Sequence, residues 1–149
     1  FIILFVTCQT SNIDAVIEYA WQKNNRQCLL LGSADGASLA LLAAKKNRKV
    51  KGVIALSPGE YFLPGLNVSK AIKPYDKPVF LAISKNDAPF IESLINNIPK
   101  NLLLTSIHPY TDNVKGSALI SEDQPSAKNV WMDLLIFFSK LKKGGMYLE

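Results

Sequence analysis

Apolar residues come in two spacings along this chain. Short unbroken runs stand at "FIILFV" (1–6), "QCLLLG" (27–32), "VKGVIALS" (50–57), "KPVFLAIS" (77–84) and "NLLLTSI" (101–107). Each has the length and continuity of a strand buried on both faces. Between the runs, apolar residues recur at helical spacing. Ile13, Val16, Ile17, Ala20 and Trp21 predict a helix over about 12–24, and Leu39, Leu42 and Ala43 another over about 36–47. Phe90, Ile91, Leu94, Ile95 and Ile98 predict a third over about 88–98, with Pro89 in its first turn, where proline is tolerated. Val130, Trp131, Leu134, Leu135, Phe138 and Leu141 mark a long last helix from about 126 to 143, stopped by Gly144-Gly145. Ser11-Asn12-Ile13-Asp14 is a capping-box-like start with Asp in place of Glu. Residues 59–78 read as loop with a short helical turn near 68–72, and 108–124 as a polar loop.

Strands alternating with helices predict an α/β domain: a three-layer sandwich around a mainly parallel sheet of about four or five strands. The helices near 12–24, 36–47 and 88–98 are expected on one face and the last helix on the other. In a parallel sheet the carboxyl ends of the strands share one edge, where ligand sites gather. That edge receives Ser33 to Ser38, Ser57 to Tyr61, Ser84 to Asp87, and His108 to Asp112.

The chain has 149 residues, 48% of them hydrophobic and 19% charged, which suits one domain with a substantial core. Much of the net charge of +5 comes from Lys45, Lys46, Arg48, Lys49 and Lys51, at and just after a predicted helix end, where cations suit the dipole. No aromatic residue interleaves with them in sequence, which argues against nucleic acid as partner. Two cysteines outside any C-x-x-C pair and one histidine argue against zinc, and no cofactor motif is present. "FIILFV" is too short to span a bilayer. It reads as a buried strand in a cytoplasmic protein, or as the tail of a signal sequence with Cys8 as lipid-attachment cysteine in the cell envelope. Either way the chain reads as the later part of a longer protein.

"LLLGSADGASLALLAA" (29–44) has the layout strand, sharp turn, helix, on which serine hydrolases present a nucleophile in the pattern G-x-S-x-G. Here it reads Gly32-Ser33-Ala34-Asp35-Gly36: the glycines are in place and alanine holds the serine position. From the residues alone, Ser33 or Ser38 could serve as a displaced nucleophile, with Asp87 and His108 following in the chain order of a Ser…Asp…His triad. Ser33 precedes the apex and should point away from it, and Ser38 falls inside the first helical turn. Asp87 reads equally as a helix cap, and His108 as a loop residue.

From Ile13 to Leu141 the chain resembles the C-terminal half of a dienelactone-hydrolase-like α/β hydrolase. The resemblance rests on "GSADGASLALLAA", "VKGVIALSPGEYF", "KPVFLAISKND" and the late "VKGSALI", in order and at the expected distances. It implies a carboxylic-ester hydrolase scaffold with Ala34 at the nucleophile position, Asp87 at the acid position and Lys115 at the base position, where the family motif reads His-Gly-Ser. It also implies that early strands of the sheet, perhaps four, are absent. Alanine has no nucleophilic atom, and a lysine ammonium is a poor base at neutral pH. Loss of triad members costs on the order of 10⁴ to 10⁶ in rate. The expectation is a degenerate hydrolase domain. Its turn amides around Asp35, Gly36 and Ala37, with Lys115 nearby, suit a small ester or carboxylate ligand. An active hydrolase using Ser33 or Ser38, and a fragment with no function of its own, are the rival readings.

Overall fold

The computed structural model describes residues 2–7, 12–108 and 114–144, without the side chains of Phe90 and His108. Cys8, Ser11, the 109–112 part of the predicted edge loop and Gly145 lie outside the described residues. Five parallel strands form one sheet in the order β1-β2-β3-β4-β5: β1 Ile2–Val6, β2 Cys28–Ser33, β3 Val50–Leu56, β4 Val79–Ser84 and β5 Leu103–His108. Ile2–Val6 is thus an edge strand, with Ile3 registered against Leu29 and Phe5 against Leu31, and it corrects the expectation of a strand buried on both faces: at the sheet edge Ile3 and Phe5 stay exposed.

Every strand-to-strand connection moves one place along the sheet, so right-handed crossovers place all of them on one face. That face buries Ile17 of α1 (Ile13–Asn24), Ala37, Ala40, Leu41 and Ala44 of α2 (Asp35–Lys46), Val68 of the short α3 (Val68–Ala71) and Leu94 of α4 (Glu92–Asn96). The opposite face holds Leu29, Ile54, Leu56 and Phe80 beneath α5 (Ala127–Lys142). The three layers and the partition of helices agree with the sequence pattern.

Four local expectations need correction. The helix over 88–98 is a 3₁₀ turn, Ala88–Ile91, followed by only one α-turn and a half, Glu92–Asn96. Asp87 stands at the N-cap without a capping side-chain bond, because its carboxylate is engaged elsewhere. On α5 the buried stripe is Ala127, Val130, Leu134, Phe137 and Leu141, while Trp131 and Leu135 are 45% and 59% exposed. A helix of this length presents one narrow stripe to a sheet, and Phe137 lies on it where Trp131 does not. The loop over 108–124 contains a 3₁₀ turn, Gly116–Ile120, that buries Leu119.

α5 leaves part of its face bare. Ile3 and Phe5 of β1 point to the α5 side, as their register partners Leu29 and Leu31 do, yet are 47% and 57% exposed.

Candidate functional site

The site grows from the turn between β2 and α2. Ala34 stands at its apex with φ 52° and ψ −120°, a conformation that L residues rarely adopt and that costs roughly 1–3 kcal/mol. The turn is held from both sides. The Ala34 amide donates to the Leu56 carbonyl of β3 at 2.8 Å, and the Ala34 carbonyl accepts from the Ala37 amide at 3.0 Å. Gly32 and Gly36 are there for close approach. A Cβ on Gly32 would lie 2.3 Å from the Gly36 carbonyl oxygen, and one on Gly36 would lie 2.4 Å from that of Val6. This is a strained elbow with a methyl group at its tip.

The residues around it are split into those the fold gathers and those it does not. Asp87 follows β4. One of its oxygens lies 3.1 Å from the Lys115 ammonium, and the other accepts from the Ser84 hydroxyl at 2.9 Å. Asp87 and Lys115 therefore meet as an ion pair, with the lysine side chain 54% and the aspartate 20% exposed. Ser33, the residue before the apex, accepts from the Ser117 amide at 2.9 Å, so its hydroxyl serves the loop that carries Lys115. Ser57, buried at the end of β3, accepts from the Gly116 amide at 2.8 Å. Two serines thus pin residues 115–117 over the elbow.

Ser38 is not gathered. It is fully buried in α2 and its hydroxyl is spent on Gly59, donating to the carbonyl at 2.7 Å and accepting from the amide at 3.0 Å. Asp35 turns its own carboxylate onto the Gly36 amide at 2.7 Å, supplying negative charge at the start of α2. The backbone of His108 ends β5, paired with Ser84 at the carboxyl edge. Its side chain is outside the described residues.

Tyr61 stands on the edge that the sequence pattern marked, but the pattern gave it no role. Its hydroxyl donates to the Ser57 carbonyl at 2.8 Å. Burial pushes the phenol up from its ordinary range; Lys115 pulls the other way, while Asp87 and Asp35 add to the rise. The bond to Ser57, whose own hydroxyl holds the Gly116 amide, sets Tyr61 beside the 115–117 loop, and "SPGEYF" was its signal in the sequence. Next to it, Glu60 accepts from the Val68 and Ser69 amides and the Ser69 hydroxyl, closing the start of α3. Among the described residues, no three His, Cys, Asp or Glu side chains cluster as a metal ion would require.

The five-stranded parallel sheet and its helices superpose on solved structures. An esterase of Pyrococcus furiosus superposes with a TM-score of 0.62 at 15% identity, over 89% of this chain and 62% of that one. The fold is a partial α/β-hydrolase fold. A Klebsiella pneumoniae protein assigned as a dienelactone hydrolase gives 0.63 at 18% identity, over 87% of this chain and 60% of its own. A 2,6-dihydroxy-pseudo-oxynicotine hydrolase gives 0.60 at 12%, over 91% and 46%. The chain therefore spans less than two thirds of each of these hydrolases. No family model and no curated protein matches the sequence.

Proposed function

We propose that this is a hydrolase-fold domain that keeps the nucleophile elbow and has lost ester hydrolysis. The observation that carries the reading is Ala34 itself. The backbone holds the strained apex conformation that presents a nucleophile, and the side chain there is a methyl group. Support comes from the base position, where Lys115 is tied to Asp87 rather than standing as a free base. The Ser38 hydroxyl proton is committed to the Gly59 carbonyl inside the core, and Ser33 serves the 115–117 loop.

The test is restoration. The natural chain and the double variant Ala34→Ser plus Lys115→His are assayed on a small activated ester and with a fluorophosphonate probe. The natural chain should neither turn over nor label, and the double variant should do both. Labelling of the natural chain would overturn the reading and direct attention to Ser33.

A small carboxylate ligand at the elbow is the binding role this site suits. It would share Lys115 with Asp87 and the Gly36 amide with Asp35, so it takes second place to the loss of catalysis. Binding of a carboxylate that is unchanged by Lys115→Ala rules it out.

A second reading has its own observation. Ile3 and Phe5 lie bare beside an open strand edge, a surface that invites further strands and a covering helix. We infer that the hydrolase sheet is completed beyond β1 in the functional protein. The chain by itself should then bind a hydrophobic dye strongly and aggregate, with Ile3→Lys plus Phe5→Lys relieving both. A dye-silent, monodisperse chain contradicts this.

A further inference from the structure

The two edges of the sheet differ in charge. Residues 23–27, 45–51, 73–78 and 99–102, which lead into β2, β3, β4 and β5, hold ten of the 17 lysines and arginines and a single carboxylate, Asp76. The elbow edge, by contrast, carries Asp35, Glu60 and Asp87 against Lys85 and Lys115. The basic segments are brought together by the fold. Gln27 donates to the Arg48 carbonyl at 2.8 Å, and the Lys45 ammonium donates to the Ala71 and Lys73 carbonyls at 2.7 and 2.8 Å. α1 lends two carboxylates here, and both are occupied: Glu18 pairs with Lys49, and Asp14 accepts from Asn47. Lys23, Arg26, Lys46 and Arg48 are exposed, and among the described residues none has an ion-pair partner.

Beside these cations α1 presents an outward stripe of Val16, Tyr19 and Lys23, with Val16 43% and Tyr19 63% exposed. A cleft of about 320 Å³ between Ile2, Lys23, Asn24 and Arg26 offers two cations to one anionic group. We propose that this basic edge docks on an anionic phospholipid surface. The cations would meet the headgroup phosphates, and Val16 and Tyr19 would sit at the polar–apolar boundary, as in helices that lie on membranes. A single-stranded nucleic acid fits less well, because it needs free aromatic platforms. Here Lys23 already lies 5.6 Å from the Tyr19 ring centre, and Lys49 lies 5.9 Å from that of Trp21, which is only partly exposed. Among the described residues no helix is long and apolar enough to cross a membrane. Docked this way, the elbow at the opposite edge faces solvent.

The test is co-sedimentation of the intact chain with vesicles of phosphatidylcholine alone and of phosphatidylcholine mixed with phosphatidylserine, at low and high salt. Binding is expected only to the anionic vesicles, with loss at high salt. Arg26→Glu plus Arg48→Glu should weaken it on the order of a hundredfold. Lys128→Glu plus Lys140→Glu on α5 changes net charge equally and should leave it within a few-fold. Equal binding to neutral vesicles, equal loss in both variants, or no binding overturns the proposal. Tighter binding to a single-stranded oligonucleotide that depends on Tyr19 overturns it in favour of nucleic acid.

Discussion

The Asp87 carboxylate holds the Lys115 ammonium at 3.1 Å across the elbow, bringing the ends of two different loops into one ion pair. With the lysine side chain 54% exposed, water screens the pair, and such pairs contribute at most about 1 kcal/mol. Lys115→Met should therefore lower the urea midpoint only slightly. A loss above roughly 3 kcal/mol would mean the pair behaves as a buried one.

The strain at Ala34 makes an unusual forecast. Ala34→Gly removes the Cβ that makes φ 52° costly, and should stabilise the fold by about 1 kcal/mol even after glycine's extra freedom in the unfolded chain is counted. Gly36→Ala should do the reverse, costing about 2 kcal/mol or more, because its Cβ would meet the Val6 carbonyl oxygen at 2.4 Å. Denaturant unfolding of both variants checks the pair of signs.

Ser57 holds the far loop. Ser57→Ala leaves the buried Gly116 amide without its acceptor, a loss of about 1–3 kcal/mol. Amide hydrogen exchange should quicken at Gly116 and Ser117 while the central strands stay protected.

Tyr75 ties stability to alkaline pH. The phenol is buried, donates to the Leu41 carbonyl at 3.2 Å, and burial drives its pKa far above the ordinary value, with Asp76 adding to the rise. The folded state keeps this proton when the unfolded chain, with a phenol near 10, has begun to release it. Stability from Tyr75 is therefore intact below about pH 10 and falls as pH rises beyond it. Tyr75→Phe should flatten that fall. Tyrosinate absorbance that rises well before unfolding at Tyr75 would contradict the assignment.

On α5 the two aromatic positions should behave oppositely. Phe137 is fully buried with its ring 5.8 Å from Phe80, so Phe137→Ala should cost about 3–5 kcal/mol. Trp131 is 45% exposed and bonded through its indole N–H to the Ile120 carbonyl at 3.0 Å, so Trp131→Ala should cost closer to 1 kcal/mol. Calorimetry or urea titration separates them. Helical spacing admits both residues to an apolar face, since neighbouring turns overlap on the wheel, and the width of the groove over β3 to β5 decides between them.

The strands, their parallel direction and the side of the sheet each helix takes were legible in the chain, because unbroken apolar runs and their alternation with helical spacing are local features of the sequence. The two glycines flanking Ala34 were legible for the same reason: only a close approach calls for small residues at that spacing. What the chain by itself determined is thus a parallel sheet with a turn shaped to present a side chain, and an alanine at its tip. Tertiary structure alone decided the rest. It diverted Asp87 from capping a helix to holding Lys115, set Tyr61 beside them, gave Ser38 to Gly59, and gathered the basic segments around one end of the sheet. Each of these depends on groups distant in sequence meeting at a few ångströms, and a polar side chain's partner is chosen by whichever donor or acceptor the packed core leaves within reach.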